Sequence, residues 1–402
     1  MNTLRLALAY ARRRPLATML NVLLLAVGVA TITLVILLTR ELETRMQREA
    51  AGIDLVVGAK GSPLQLILAG IYHADVPPGN VPLQDVLDLR RNPLVREVIP
   101  LALGDSYRGF RIVGTEPAFV AHYAAALAQG RLWSAPMDAV LGSGVARASG
   151  LELGDTFAGS HGMSEGGAEH QAAPYRVVGI LAPTGNVIDR LALTGIDSVW
   201  KVHDVHGRAV ADTTGHDGGD EPREVTVALV TYASPIAAAS LPRAVNARTS
   251  MQAASPAYET ARLLTVFGVG TDVIRGFALL LIGASALGLF AALTQALDER
   301  RHDLAIMRAL GASRRRVVAV LLLESALLAV LGLALGLASA HLLAASVGHW
   351  LPAASALAGG AATWRPEEWG VVGLALGAGI LATLFPAWRA YRLDVAATLA
   401  DE

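Results

Sequence analysis

The chain has 402 residues, of which 53% are hydrophobic and only 17% charged, with a mean hydropathy of +0.46. A soluble domain carries roughly 25% charged residues, so the composition points to a membrane protein. A net charge of −1 argues against a nucleic-acid partner, and the absence of cysteine excludes disulfide scaffolds, thiol nucleophiles and cysteine metal sites.

In chain order, a cytoplasmic segment (1–15) leads into an uncharged run, Leu16 to Thr39, assigned as a first span over 16–39. Such a helix, at about 1.5 Å per residue, exceeds a bilayer core of roughly 30 Å. Arg12, Arg13 and Arg14 precede it, as in a signal peptide. The run is too long for one, and it ends in Arg40-Glu41-Leu42-Glu43 rather than a small-residue cleavage site, so the helix is expected to be retained. Glu41, Arg45 and Glu49 stand four apart, the spacing of ion pairs on a solvated helix, and predict a polar stalk.

A domain of mixed composition follows over 40–272. Short strands are expected at Leu55–Val57, Phe110–Val113, Ala139–Leu141, Tyr175–Leu181, Ser198–Val202 and Glu224–Thr231, with helices at Leu83–Arg91 and Glu116–Ala128. Strands mixed with helices predict an α+β domain. Gly159–Gln171 and Gly207–Pro222 read as polar loops.

Three more spans are expected at 273–297, 317–347 and 369–388, separated by a basic connection (298–316) and a short loop (348–368), with a tail over 389–402. Arg5, Arg12, Arg13 and Arg14, six arginines of the connection and Arg389 and Arg392 of the tail lie on one side; the short loop has Arg365 alone. The positive-inside rule puts the arginine-rich side in the cytoplasm and the large domain outside, with Trp350, Trp364 and Trp369 at the outer interface. The fold class is therefore an α-helical membrane protein of four transmembrane helices, with a large α+β domain inserted between the first and second.

No Walker loop, zinc-protease motif or nucleophile elbow is present. Gly142-Ser143-Gly144 and Gly268-Val269-Gly270 are isolated glycine pairs of the kind tight turns or close packing use, rather than a nucleotide site. Glu324 and His341 are the strongly polar ionisable groups deep in apolar runs. Glu324 lies about two turns from the cytoplasmic arginines, within reach of snorkelling or pairing; an ion-path role is the alternative. His203, Asp204, His206, Asp212, His216 and Asp217 crowd one external loop, and His161 and His170 lie in another. Imidazole and carboxylate suit a divalent metal such as zinc, with His203, His206 and His216 as ligands, although polar loops collect such residues for solubility alone.

The most specific stretch is Asp298 to Ser313, a short amphipathic helix by its spacing: acids at its start, Leu304, Met307 and Leu310 on one face, and Gly311 at its C-cap. A helix lying on the membrane is the plain alternative. Glu299, Arg300, Asp303, Leu304, Ile306, Met307, Arg308, Ala309, Leu310, Gly311, Ala312 and Ser313 resemble the E-R-x-x-E-I-x-x-L-R-A-L-G-A-S connection of permease subunits of MacB/LolC/FtsX-type ABC transporters. Glu324 and the tail Pro386-Ala387-Trp388-Arg389-Ala390-Tyr391-Arg392-Leu393-Asp394 also match, with Val395 in place of the family's proline. Ile53–Ala59 and Gly142–Asp155 look like two blocks of MacB-type periplasmic domains.

The resemblance implies a mechanotransmission permease of the bacterial inner membrane, with an FtsX-like domain over 273–402. It implies no cofactor in this chain: ATP and Mg are bound by a separate ABC ATPase dimer docked on the connection. It further implies a second permease copy or paralogue, a periplasmic adaptor or lipoprotein, and contact with membrane lipids. Gly28, Gly283 and Gly288 are small enough to let helices of two permeases approach closely, with packing inside one chain as the alternative. Export or extraction of a lipoprotein, lipid, peptide or small molecule is the function this implies. A signalling scaffold for a periplasmic partner, or a metal-linked transport system, is the alternative.

Overall fold

The computed structural model of the chain describes residues 15–161, 173–202, 223–299, 313–350 and 363–392. The chain divides into two compact units, 1–44 with 266–402, and 45–265.

The inserted unit is an α+β domain. Helix α1 (Pro15–Glu49) is followed by β1 (Leu55–Ala59), α2 (Pro63–Gly70), β2 (Val81–Pro82) and α3 (Leu83–Asp88), the last extended by a 3-10 turn, Leu89–Arg91. Next come β3 (Val95–Tyr107), β4 (Phe110–Thr115), α4 (Pro117–His122), β5 (Leu127–Gly130), β6 (Asp138–Leu141), α5 (Ser143–Ser149), β7 (Thr156–Phe157), β8 (Ser160–His161) and β9 (Tyr175–Leu181). A 3-10 turn (Val187–Arg190) leads to β10 (Leu191–Gly195), a helix α6 (196–202), β11 (Glu224–Val225), β12 (Val227–Tyr232), α7 (Ile236–Arg248) and β13 (Met251–Ala254).

Eleven strands form one mixed sheet in the order β13-β1-β12-β3-β4-β10-β6-β9-β5, with β7 beside β9 and β8 beside β3; β11 and β2 pair separately. The β10–β4 and β6–β9 pairs are parallel. Both faces of the central strands are covered. Val56, Ile99, Leu101, Val227 and Leu229 join Leu66, Ile67 and Phe119 in one core, while Leu55, Val57, Val98, Ala228 and Val230 join Leu241 and Val245 of α7 in another. The two-residue side-chain period of a strand puts alternate residues on opposite faces, so a strand buried on both sides reads as an unbroken apolar run.

Two sequence expectations fail here. Ser198–Val202 is helix rather than strand: Val199 and Val202, three apart, are both buried, and Thr194 donates to Ser198 Oγ across the first turn. The helix expected over Glu116–Ala128 stops at His122. Ala124 turns left-handed at φ 48°, and Leu127–Gly130 pairs with β9.

The other unit contains the apolar part of α1, most of α8 (Pro256–Glu299), and the helices α9 (Arg314–Trp350) and α10 (Glu368–Tyr391). Each is long and apolar enough to cross a membrane. Leu25, Val29, Ala278, Ile282, Ala329, Leu333 and Ala375 pack between them, and Val22, Leu293, Leu321 and Ala382 form a second layer. Large apolar side chains such as Phe267, Phe277, Leu280, Leu342 and Leu381 remain exposed. Exposure on that scale is the mark of a surface covered by something other than water.

Candidate functional site

The connection between α8 and α9 is bracketed by contacts at the arginine-rich ends of three helices. Glu299 is the exposed last residue of α8. Arg300, Asp303, Leu304, Met307, Arg308, Leu310 and Gly311 lie outside the described residues. On the near side, Arg389 of α10 pairs with Asp298 of α8 at 3.6 Å. On the far side, Arg314 at the start of α9 lies over the Tyr391 ring at 5.6 Å, and Arg392 over Trp388 at 4.3 Å. Both ends of the basic connection are thus tied to the end of α10.

Inside the bundle, polar groups pair helix to helix. Ser285 of α8 donates to the Asn21 carbonyl of α1 at 2.9 Å, and Thr383 of α10 donates to Ser325 of α9 at 2.9 Å. A cavity of about 20 Å³ lies beside them, lined in part by Asn21, Leu25, Ile282, Ser285 and Gly379. That is room for about one water. Glu324, next to Ser325, is buried within the bundle and does not snorkel to its surface. Buried carboxylates persist only where paired, and Glu324 has a partner.

At the opposite end is a polar cluster that sequence reasoning missed. Glu368, in the first turn of α10, has no solvent exposure. Its Oε1 accepts the Arg365 N–H at 2.8 Å, while its own N–H donates to the Arg365 carbonyl at 3.0 Å. The two bonds close the turn that leads into α10, at the helix end whose dipole favours an acid. Glu368 Oε2 lies 3.0 Å from His341 Nε2 of α9, and the His341 ring stacks against Trp364 with centroids 6.4 Å apart. Arg365 reaches Glu41 of α1 at 3.5 Å, and Glu367 reaches Arg40 of α1 at 2.6 Å. His341 and Arg365 were visible as isolated polar residues. Their partners, up to 324 positions away, left no local signal. The solvated stalk expected from Glu41, Arg45 and Glu49 is corrected accordingly: α1 does continue to Glu49, but Glu41 is buried beside Arg365, and Glu49 is buried accepting the Val187 N–H at 2.7 Å.

In the inserted domain the two sequence blocks sit at close backbone contacts. Ile53–Ala59 supplies β1, inside the sheet. In the other block, Gly142 and Gly144 lie against the backbone of the 3-10 turn at Asp189, where any Cβ would collide. They are packing glycines.

A family model of the MacB-like periplasmic core domain matches residues 18–238, and one of the FtsX-like permease C-terminal domain matches 275–395. The chain belongs to the MacB/FtsX-type ABC transporter permeases. The permease is similar in structure to the periplasmic region of MacB from Actinobacillus actinomycetemcomitans, at 13% identity and a TM-score of 0.35, over 54% of this chain and 97% of that one. It is also similar to the extracellular domain of YknZ, a noncanonic ABC-type transporter from Gram-positive bacteria, at 13% identity and a TM-score of 0.28, over 50% of this chain and 98% of that one. No curated protein matches it. It is a multi-pass membrane protein with a periplasmic domain.

Two of the three glycines assigned to a permease–permease interface serve this permease's own packing instead. A Cβ on Gly28 would meet Ile282 Cγ1 at 2.7 Å, and one on Gly288 would collide with the Asn21 side chain, so both permit α1 to approach α8 within one chain. Gly283 faces open space. Among the described residues no group of three or more His, Asp or Glu could hold a metal. His203, His206, His216 and His170 lie outside the described residues, as does the His161 side chain.

Proposed function

We propose that the permease converts ATP hydrolysis by a partner ABC ATPase into movement of its periplasmic domain, which acts there on a substrate to be exported or extracted. The ATPase docks on the connection after α8, with Leu304, Met307 and Leu310 as its apolar contact and Glu299, Arg300, Asp303, Arg308 and Gly311 shaping the helix and its rim. ATP and Mg belong to that partner. Two permeases, either two copies or this chain with a paralogue, work with one ATPase dimer, and a periplasmic adaptor or lipoprotein joins them outside.

The observation that carries this reading is the length of α1 and α8. They run unbroken for 35 and 44 residues, through the apolar segment and on into residues of the inserted domain. At about 1.5 Å per residue, α8 is roughly 66 Å long, about twice a bilayer core. An unbroken helix passes displacement along its own axis, so movement at the cytoplasmic end of α8 is carried along its length. The contacts bracketing the connection support the same reading, because they seat both of its ends on α10.

The test is reconstitution with a candidate ABC ATPase partner. The purified complex should contain two permeases per ATPase pair by mass. Met307→Asp or Leu310→Asp should abolish association while leaving the permease inserted, since an unpaired charge buried at an interface costs several kcal/mol. Full association and activity in both variants would reject the docking site.

A further inference from the structure

The polar cluster at the outer end of the bundle joins three helices, and its contacts fall into two kinds. Glu368 is wholly buried and holds the chain before α10 to α9 through His341, and to itself through the Arg365 N–H. The contacts to α1 are different. The Arg40–Glu367 pair has side chains 47% and 38% exposed, and Arg40 is shared with Glu43 at 2.8 Å. The Arg365–Glu41 pair is 27% and 12% exposed, at a longer 3.5 Å. Removing one partner from a buried pair strands a charge, whereas exposed pairs open at little cost.

We propose that residues 363–368 form a clasp, anchored on α9 and α10 by Glu368 and closing on α1 through releasable contacts of Arg365 and Glu367 with Glu41 and Arg40. Arg40, Glu41, Arg365 and Glu367 are then positioning residues: they hold α1 at rest and let go when it moves. The inference rests on the proposed function for what moves α1, but the clasp itself follows from geometry. The segment of α1 they grip is the last before that helix enters the inserted domain at residue 45. Two mutually crossed pairs, basic-to-acidic and acidic-to-basic on successive residues of α1, also fix the rotation of the helix about its axis, which a single pair does not.

The test uses the full chain in membranes, where the absence of native cysteine makes paired cysteines clean probes. Arg40→Cys with Glu367→Cys is treated with a short, reducible bifunctional thiol reagent, so that the remaining Arg365–Glu41 contact alone holds the clasp. Linkage is expected to be rapid. Adding Glu41→Arg should slow it by at least about fivefold, because the Glu41 side chain is only 12% exposed and the change sets two cations together there. Adding Arg365→Glu as well should restore it. A rate indifferent to Glu41→Arg, or no recovery in the charge swap of a normally inserted chain, overturns the clasp.

That arm needs no ATPase, so its failure is distinct from failure of the proposed function. In the assembled complex, linkage should arrest ATP hydrolysis above background, and reduction should restore it. Unaltered hydrolysis by a fully linked permease overturns release as a step. A wild-type permease that binds no ATPase rejects the functional reading instead, with the clasp already decided by the linkage rates.

Discussion

Replacing Gly142 by alanine isolates close packing from backbone strain. Gly142 sits at φ −62° and ψ 151°, a conformation alanine adopts freely, so no torsional cost attends the change. The added Cβ would lie 2.6 Å from both the carbonyl carbon and oxygen of Asp189, and against the Ile188 carbonyl oxygen, where ordinary van der Waals contact begins at 3.4 Å. Those atoms are backbone of a turn anchored by the buried Val187 and Ile188 side chains. The Asp189 carboxylate pins that turn by accepting the Thr184 and Gly185 N–H groups, and the Gly142 N–H donates to the Leu191 carbonyl at 2.9 Å. Overpacking a core costs about 1–3 kcal/mol, and with no flexible side chain to yield, about 3 kcal/mol is expected here. Gly150→Ala is the counterpart: φ is +73° with nothing within 4 Å of the added carbon. Only the left-handed penalty of about 1–2 kcal/mol applies, partly offset by a stiffer unfolded chain. Hydrogen exchange of the Leu191–Gly195 amides in the full permease should therefore accelerate about a hundredfold in Gly142→Ala and about tenfold or less in Gly150→Ala. Equal effects, or a larger one at Gly150, would refute the packing assignment.

Acid should destabilise the inserted domain through His73, whose burial, helped by Arg111 and Arg190, lowers its pKa from 6.5 to about 3. The native state keeps the ring neutral while the unfolded chain takes a proton below pH 6.5, so stability holds above 6.5 and falls as pH drops toward 3, by up to about 1.4 kcal/mol per pH unit. His73→Asn, which tolerates the φ of 51°, should flatten a thermal-unfolding series between pH 6.5 and 4.5; an unchanged slope would rule His73 out. Topology is checked by Glu152→Cys and Ser313→Cys, both exposed, which should label from the periplasm and cytoplasm respectively. Ser160 of β8 is a poorer probe, because it is half-buried with its hydroxyl on the Ser106 carbonyl. The docking stripe predicts that Leu304→Asp behaves like Met307→Asp, losing ATPase in co-purification while Ile306→Asp, off that face, retains it.

The spans were legible because their signal is local: about twenty apolar residues in a row mean the same thing wherever they occur. The periodic strand β9 was read to the residue, as its alternation of buried and exposed positions is likewise local. The long strand β3 was not read, because Arg96, Glu97, Pro100 and Gly104 interrupt its pattern; it exists because β12 on one side and β4 on the other complete its hydrogen bonds. Helix α7 was missed for a similar reason. Pro242 lies inside it and its burial rests on Ala237, Leu241 and Val245, three small or spaced apolar residues in a weakly apolar run. The outer clasp was illegible in principle: Arg40 and Glu41 belong to the first helix and Glu367 to the loop before the last. Nothing short of the fold brings them together.

The distribution of polar groups along the bundle follows from what each must do. At mid-depth, hydroxyls pair with one another or with a carbonyl, Ser285 with Asn21 and Thr383 with Ser325, so α1 is tied to α8 and α9 to α10 by uncharged groups, with Glu324 buried beside Ser325. The ion pairs Asp298–Arg389, Arg40–Glu367 and Arg365–Glu41 lie at the two ends of the bundle. At the arginine-rich end they brace the connection to α10 through Asp298–Arg389. At the other they grip α1 through the exposed Arg40–Glu367 pair and the longer, partly buried Arg365–Glu41 pair, while the charge that anchors the grip, Glu368, is fully buried and doubly hydrogen-bonded. A bundle meant only to sit in the membrane needs no such division between fixed and releasable contacts. One whose first helix must move relative to its last two does, and it needs the releasable contacts at the end where that helix leaves the bundle.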